Sequence, residues 1–371
     1  MGADLKEVYM ELKLKKRICV FVHELNRSGA SIVMYDAITI MKSTGCDIVV
    51  ISPMEGPLHE AYEKIGVSVI ISEEYFDMLY REKGLNDCLK NDMLEQLYQF
   101  DQIWFLTILT APMLKCCENM NLPMVWWIHE GKECFYTSSF GMPKKIKDNV
   151  LVLVVGEYTR RVLKSYGFQY SEAVLNYGVE DKGKGYFHSS IGKDYFLMVG
   201  TFCSRKGQDI LIESLAYLDN NIINNSNFLF VGEAIDVQYA EKINEMAKEY
   251  KNIGFVSTVD RNELFSYYAN MKCLICPSRD DPMPVVVTEA AMFSKPVICS
   301  DRIGQAEYIR QIDADIVFNN LSPIDLAKAI TKVYYDSYLC SKLGQYNRIM
   351  YEKLFSYDVM KERLLQIVSI L

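Results

Sequence analysis

The strongest constraint on this 371-residue chain is an alternation. Short runs of β-branched and aromatic residues recur: RICVFV from Arg17, DIVVIS from Asp47, VSVIIS from Val67, QIWFLTI from Gln102, PMVWWI from Pro123 and VLVLVV from Val150. Between them lie stretches long enough for a helix. Runs that are apolar throughout read as strands covered on both faces, and strands parted by helices pair in parallel through βαβ units. After the polar stretch DKGKGYFHSSIGKD, Asp181 to Asp194, the pattern restarts with YFLMV, NFLFV, NIGFV, KCLIC and PVICS. One core organises at most about 250–300 residues, so this stretch reads as the linker between two α/β domains. Helices are expected from Ile32 to Met41, over LHEAYEKIG, from Glu82 to Gln99, over NELFSYYANM, VVVTEAAMF and LSPIDLAKAITKVYYD, and over the final FSYDVMKERLLQIVSIL.

Composition excludes several classes of function. A net charge of −8, from 40 basic and 48 acidic residues, with no basic stripe interleaved with aromatics, argues against a nucleic-acid partner. The 11 cysteines are scattered and mostly sit in apolar runs, which fits reduced core thiols in a cytoplasm. Cys273 and Cys276 form a lone C-x-x-C without a second pair or a nearby histidine, so no zinc or redox site is read there. The longest apolar runs fall short of the roughly 18 residues of a membrane span, and the charged opening residues do not read as a secretory signal. Leu5, Val8, Tyr9 and Leu12 share one helical face ahead of Lys13, Lys15, Lys16 and Arg17. That pattern suits either a foot on an anionic membrane or a short extension before the first strand. No G-x-G-x-x-G follows a strand, which argues against a nicotinamide or flavin enzyme.

The chemistry concentrates in PSRDDPMPVVVTEAAMFSKPVICSD, Pro277 to Asp301, read as a loop, a helix and a strand. Pro282 and Pro284 keep the loop from becoming helical, and the loop and helix together deliver Asp281 and Glu289. In open α/β sheets, ligands bind where a helix begins beyond the carboxyl end of a strand, because unpaired amides and a partial positive charge collect there. A nucleotide diphosphate fits such a place, with carboxylates accepting from sugar hydroxyls. Capping alone also draws acids to helix starts, so each carboxylate taken singly has a purely structural reading. Arg205 and Lys206 stand just before Gly207, where another helix begins, and would converge with it on one anion. A solvated basic pair is the plainer alternative. His129 and Glu130 directly follow the strand MVWWI, at the sheet edge where chemistry collects.

Pro277, Ser278, Asp281, Glu289, Ala290, Pro296, Val297 and Ile298 fall in the places of a known signature. The stretch resembles that of the retaining glycosyltransferases of the two-Rossmann-domain (GT-B) type, glycosyltransferase family 4 (group 1). Two departures are visible: the first acid is Asp281 rather than Glu, and Pro282, Met283 and Pro284 replace the usual glycines. The resemblance extends over Gly156, Glu157 and Thr159, over Asn176, Gly178 and Val179, over Gly304 and Glu307, and over Lys206, with Thr201 where an Arg is usual. It implies an α/β fold of two Rossmann-like domains facing across a cleft. Residues 1–183 would form an acceptor domain together with a returning C-terminal helix, 355–371, and residues 184–354 would bind the nucleotide-sugar.

It also implies roles. Lys206 and Arg205 would neutralise the leaving diphosphate, Glu289 would accept from ribose hydroxyls, and Asp281 would accept from hydroxyls of the transferred sugar. The amides of Met283 and Val285 would meet the donor, Gly29 in the turn Ser28–Gly29–Ala30 would approach its phosphates or the acceptor, and His129 would position the sugar. The donor is expected to be a UDP- or GDP-sugar, with no metal required. The acceptor would be a saccharide or lipid-linked saccharide in bacterial polysaccharide synthesis, met in the cytoplasm or at the cytoplasmic membrane face. Two rivals stay open: a nucleotide-sugar 2-epimerase of similar fold, and a non-catalytic glycosyltransferase-like partner subunit.

Overall fold

The computed structural model describes residues 15–81, 91–138, 142–184, 194–257 and 259–371. The apolar face of Leu5 to Leu12, residues 82–90 of the expected Glu82–Gln99 helix and most of the 181–194 linker lie outside the described residues. Two compact units emerge, one holding residues up to Tyr177 together with Met360–Leu371, the other holding Gly178–Val359.

In the first unit β1 (Arg17–Phe21), α1 (Gly29–Ser43), β2 (Asp47–Ser52), α2 (His59–Lys64), β3 (Ser68–Ile71), α3 (Glu73–Tyr80), α4 (Asn91–Leu97), β4 (Gln102–Leu106), α5 (Ala111–Cys117), β5 (Met124–Ile128), α6 (Lys132–Ser138), β6 (Val150–Val154), α7 (Glu157–Ser165) and β7 (Glu172–Val174) follow in turn. All strands pair in parallel in the order β3-β2-β1-β4-β5-β6-β7. β1, β4 and β5 are central, which explains why their sequences are apolar at nearly every position. Their side chains fill the core with Phe21 stacked on Phe105 at 5.5 Å and with Trp104, Trp126 and Trp127 fully buried. A buried indole needs a partner, and Trp126 Nε1 donates to Thr107 O at 2.7 Å.

The second unit runs β8 (Tyr195–Val199), α8 (Gln208–Ser214), α9 (Asn220–Asn225), β9 (Asn227–Val231), α10 (Val237–Ala247), β10 (Ile253–Val256), α11 (Arg261–Asn270), β11 (Cys273–Cys276), α12 (Val285–Met292), β12 (Val297–Ser300), α13 (Ala306–Arg310), β13 (Val317–Phe318), α14 (Pro323–Tyr335) and α15 (Ser337–Met350). Its strands are also parallel, in the order β10-β9-β8-β11-β12-β13. The final helix, α16 (Tyr357–Ile370), returns to the first unit. There Lys16 Nζ and Gln102 Nε2 each donate to Val368 O at 2.8 Å, and Arg363 Nη1 reaches Asn176 Oδ1 at 3.3 Å.

Sequence and structure differ in two helices. One is α3, unexpected, which begins at Glu73, ahead of the expected Glu82–Gln99 helix, because Ser72 accepts from the Tyr75 amide; the described part of that expected helix holds α4. α15 was not anticipated at all; Gly344 and the polar, buried Asn347 in its last turns dilute its apolar period. Among the described residues no helix is long and apolar enough to cross a membrane.

Candidate active site

Both sheets reverse strand order at one point, between β1 and β4 in the first unit and between β8 and β11 in the second. Neighbouring loops diverge there, leaving a crevice at the carboxyl ends of the strands.

In the second unit the crevice is walled by the loop after β8, residues 200–207, and the loop after β11, residues 277–284. A 3₁₀ turn, Ser204–Lys206, precedes Gly207, whose φ of +77° is left-handed and whose Cβ position would lie 2.2 Å from Pro277 O. Only glycine allows the two loops to come this close. The loops are then sewn together. Arg279 N–H donates to Arg205 O at 2.8 Å, Arg205 Nη1 donates to Asp280 O at 2.9 Å, and Arg279 Nη1 donates to Ser204 O at 2.6 Å. The Arg279 guanidinium also grips the buried Asp209 at the start of α8 with two bonds, 2.9 and 3.0 Å, the fork matching the carboxylate. Tyr239 Oη donates to the same carboxylate at 2.9 Å. Although burial opposes it, this company holds the Asp209 carboxyl below its ordinary pKa.

That scaffold presents Lys206 Nζ to Asp281 Oδ2 at 2.7 Å, with Arg205 Nη1 at 3.5 Å from the same oxygen. Two cations thus share one carboxylate. Asp281 is fixed from behind, its amide donating to Arg302 O at 3.1 Å and its carbonyl accepting from Gly304 N–H at 3.2 Å. A Cβ on Gly304 would fall 1.9 Å from Pro282 O, so the proline-rich loop has one place to lie. Pro284 caps α12 without a side-chain bond; Val287 N–H turns back to Pro284 O at 3.2 Å, and the amides of the first two helical residues, Val285 and Val286, keep their donor capacity. Met283 is buried against Gly304. Glu289, further along α12, is 1 % exposed and lies 2.6 Å from Arg261 Nη2. Burial pushes its carboxyl up, with Arg261 and Tyr268 pulling the other way.

In the first unit, the exits of β1, β4 and β5 bring together His23 and Glu24, Thr107, and His129 and Glu130. Thr107 has φ +71°, a costly conformation for a branched residue, and such strain collects at working sites. Its Oγ1 lies 3.2 Å from His23 Nδ1, and His23 Nε2 lies 3.5 Å from Glu24 Oε1. Hydrogen bonding from His23, aided by Ser28 and Asn26, holds the Glu24 carboxyl down at about 2. His129 packs on the Trp127 ring at 4.7 Å, and its Nε2 is buried with no hydrogen-bond partner among the described residues. Burial, reinforced by the nearby His23, drives the imidazole down to about 3. Glu130 Oε2 accepts from the His129 amide at 2.9 Å. Burial raises its carboxyl to about 7 against the pull of His23 and the surrounding backbone amides. Gly29 starts α1 with nothing within 4 Å of its Cβ position, so packing does not dictate glycine there.

Comparison with known proteins names the family. The family model described as glycosyl transferases group 1 matches residues 187–350, and that described as glycosyl-transferase family 4 matches residues 14–161. The chain belongs to these glycosyltransferases. It is 22% identical over 375 residues to the putative glycosyltransferase YtcC of Bacillus subtilis, the match covering 91% of this chain and 87% of that one. An uncharacterized glycosyltransferase of Methanocaldococcus jannaschii is 27% identical over 168 residues, which span 44% of this chain and only 45% of that protein. The crystal structure of Anabaena HepE in complex with UDP-glucose superposes with a TM-score of 0.75 at 14% identity, covering 96% of this chain and all of that one, and so shares the GT-B fold.

Among the glycosyltransferase's residues singled out by sequence, the fold gathers Arg205, Lys206, Asp281, Met283, Val285 and Glu289 around one switch point, and places Gly29 and His129 at the edge of the other sheet. Sequence reasoning missed four. Asp209 and Arg279 carry no motif and meet across 70 positions. His23 and Glu24 carried a usable signal, since they follow a buried strand just as His129 does.

Proposed function

We propose that this glycosyltransferase moves a sugar from a UDP- or GDP-sugar to a hydroxyl acceptor with retention at the anomeric carbon. Lys206 and Arg205 take the charge that grows on the diphosphate as the bond from the anomeric carbon to its oxygen breaks. The acceptor oxygen bonds to that carbon on the same face, and its proton passes to the departing phosphate. No protein nucleophile is needed. Glu289 accepts from the ribose, Asp281 from hydroxyls of the sugar, and the Met283 and Val285 amides support the donor. His129 serves the sugar as a neutral partner, in keeping with its depressed basicity. Gly29 leaves room for donor phosphates or acceptor. The acceptor is a saccharide or lipid-linked saccharide of a bacterial polysaccharide pathway, reached at the cytoplasmic membrane face.

The observation that carries this reading is the pair of cations on one carboxylate, Lys206 and Arg205 on Asp281, beside the uncapped start of α12. Such a cradle can exchange an internal anion for an external one. The complex of HepE with UDP-glucose supports a nucleotide-sugar as that ligand. The test is a panel of α-linked UDP- and GDP-sugars with water as acceptor, followed by proton NMR before mutarotation. An α sugar released first is the expected result. A β sugar overturns retention, and a free sugar nucleotide epimerised at C2 makes the protein an epimerase.

A further inference from the structure

Glu289 poses a problem for any role in binding. A carboxylate with 2 % of its side chain exposed is costly to keep charged, yet it accepts strongly from hydroxyls only when charged. Its one cation among the described residues, Arg261, is the first residue of α11, and 62 % of that side chain is exposed. The Arg261 guanidinium lies over the Phe265 ring at 5.3 Å, on the same helix, and bridges to Glu289 Oε1 at 2.6 Å. Tyr268, also from α11 and fully buried against Phe293, is the other titratable group acting on the carboxylate, with Cys276 of β11 beyond it. A buried acid is therefore held by a partner that reaches it from the solvent side.

We propose that Arg261 is a displaceable counter-ion. It keeps Glu289 ionised in the nucleotide-free protein and gives up the same carboxylate oxygen to the nucleoside hydroxyls when the donor binds. This deepens, and rests on, the reading of Glu289 as the ribose partner. Arg261 then has two opposed effects on affinity, competing with the ribose and protecting the charge that the ribose needs. Removing it lets burial set the protonation of Glu289. The ligand binds the ionised form, so the variant should release a proton on binding and lose affinity as pH falls, by up to about tenfold per pH unit.

Calorimetry with UDP and with GDP, from pH 6 to 9, on wild type, Arg261→Gln, Arg261→Lys and Glu289→Gln tests this. The terminal phosphate of the ligand titrates near ~6 in every protein and cancels in the ratio to wild type. Arg261→Gln should bind more tightly than wild type at pH 9 and more weakly at pH 6, with proton release seen by varying the buffer. Arg261→Lys should track wild type. A ratio that stays constant with pH makes Arg261 an ordinary surface ion pair and overturns the proposal. Weaker binding by Arg261→Gln at pH 9 as well means that Arg261 itself holds the ligand, which also overturns it. If Glu289→Gln binds as wild type does, or wild type binds neither nucleotide, the donor-site reading falls first and this inference with it.

Discussion

The two units share a sheet order and a switch point, but their crevices are electrostatically unlike. At the edge of the second unit three acids are matched to cations: Asp281 to Lys206 and Arg205, Asp209 to Arg279, Glu289 to Arg261. At the edge of the first unit burial drives His129 and Glu130 each toward its neutral form, while Glu24 beside them stays ionised against His23. The fold sets where ligands can bind, and the loops set what kind. A cation-rich edge suits a ligand that arrives and leaves charged. A buried neutral pair such as His129 and Glu130 suits hydroxyl groups, for which a permanent charge would be an expensive partner to desolvate.

The sharpest way to break this contrast is Lys206→Ala. Loss of one preorganised charge from the developing leaving group should lower turnover by about 100-fold or more. Affinity for the nucleotide should fall much less. Turnover within about threefold of wild type, in a variant whose melting is unchanged, would make Lys206 a structural mate of Asp281 and remove the catalytic meaning of the ionic edge.

An intermediate effect is expected for Glu130→Gln. The folded pKa of about 7 lies above the ordinary 4.5, so ionisation opposes folding. The stability of wild type is intact below pH 4.5 and is lost as pH rises through 7, by about 3 kcal/mol for this shift. The amide has no such loss. The variant should therefore melt close to wild type at pH 5 and about 5 °C or more above it at pH 8. A gap that does not widen with pH would show that Glu130 is an ordinary ionised acid and that burial does not neutralise this pair.

The smallest expected effect is from chelation. Arg205, Lys206 and a helix start occupy the place where a metal-dependent enzyme keeps carboxylates for its ion, so EDTA should leave the rate within about twofold. Complete loss, restored by manganese alone, would reassign Asp280 and Asp281 as metal ligands and turn the second edge from cationic to acidic.

Much of this was legible before the fold was known, and the reason is periodicity. Uniformly apolar runs such as MVWWI and CLIC belong to strands covered on both faces, so two parallel sheets followed directly. His129 and Asp281, which follow strands, and Lys206, which precedes a helix, stood out by position, and the family resemblance supplied their expected roles. What stayed hidden was pairing at long range. Nothing in the sequence says that Arg279 will meet Asp209 rather than a ligand, or that the exposed Arg261 will reach back to a buried Glu289. The acidity of Glu130 was equally hidden, since it depends on how thoroughly neighbouring chain excludes water. α15 escaped because its buried face carries Gly344 and Asn347 among its apolar residues.

The return of α16 to the first sheet has a consequence in time. Residues 360–371 leave the ribosome only after the whole of Gly178–Val359, an interval of roughly ten to forty seconds at ~5–20 residues per second. Until then Gln102 and Lys16 lack the carbonyl of Val368 that both bind, and the burial of Leu364 and Val368 is still to come. The second unit, continuous in sequence, suffers no such delay. The half of the enzyme made first is thus the half finished last, and a nascent chain halted before Met360 would display a complete second unit tethered to an incomplete first one.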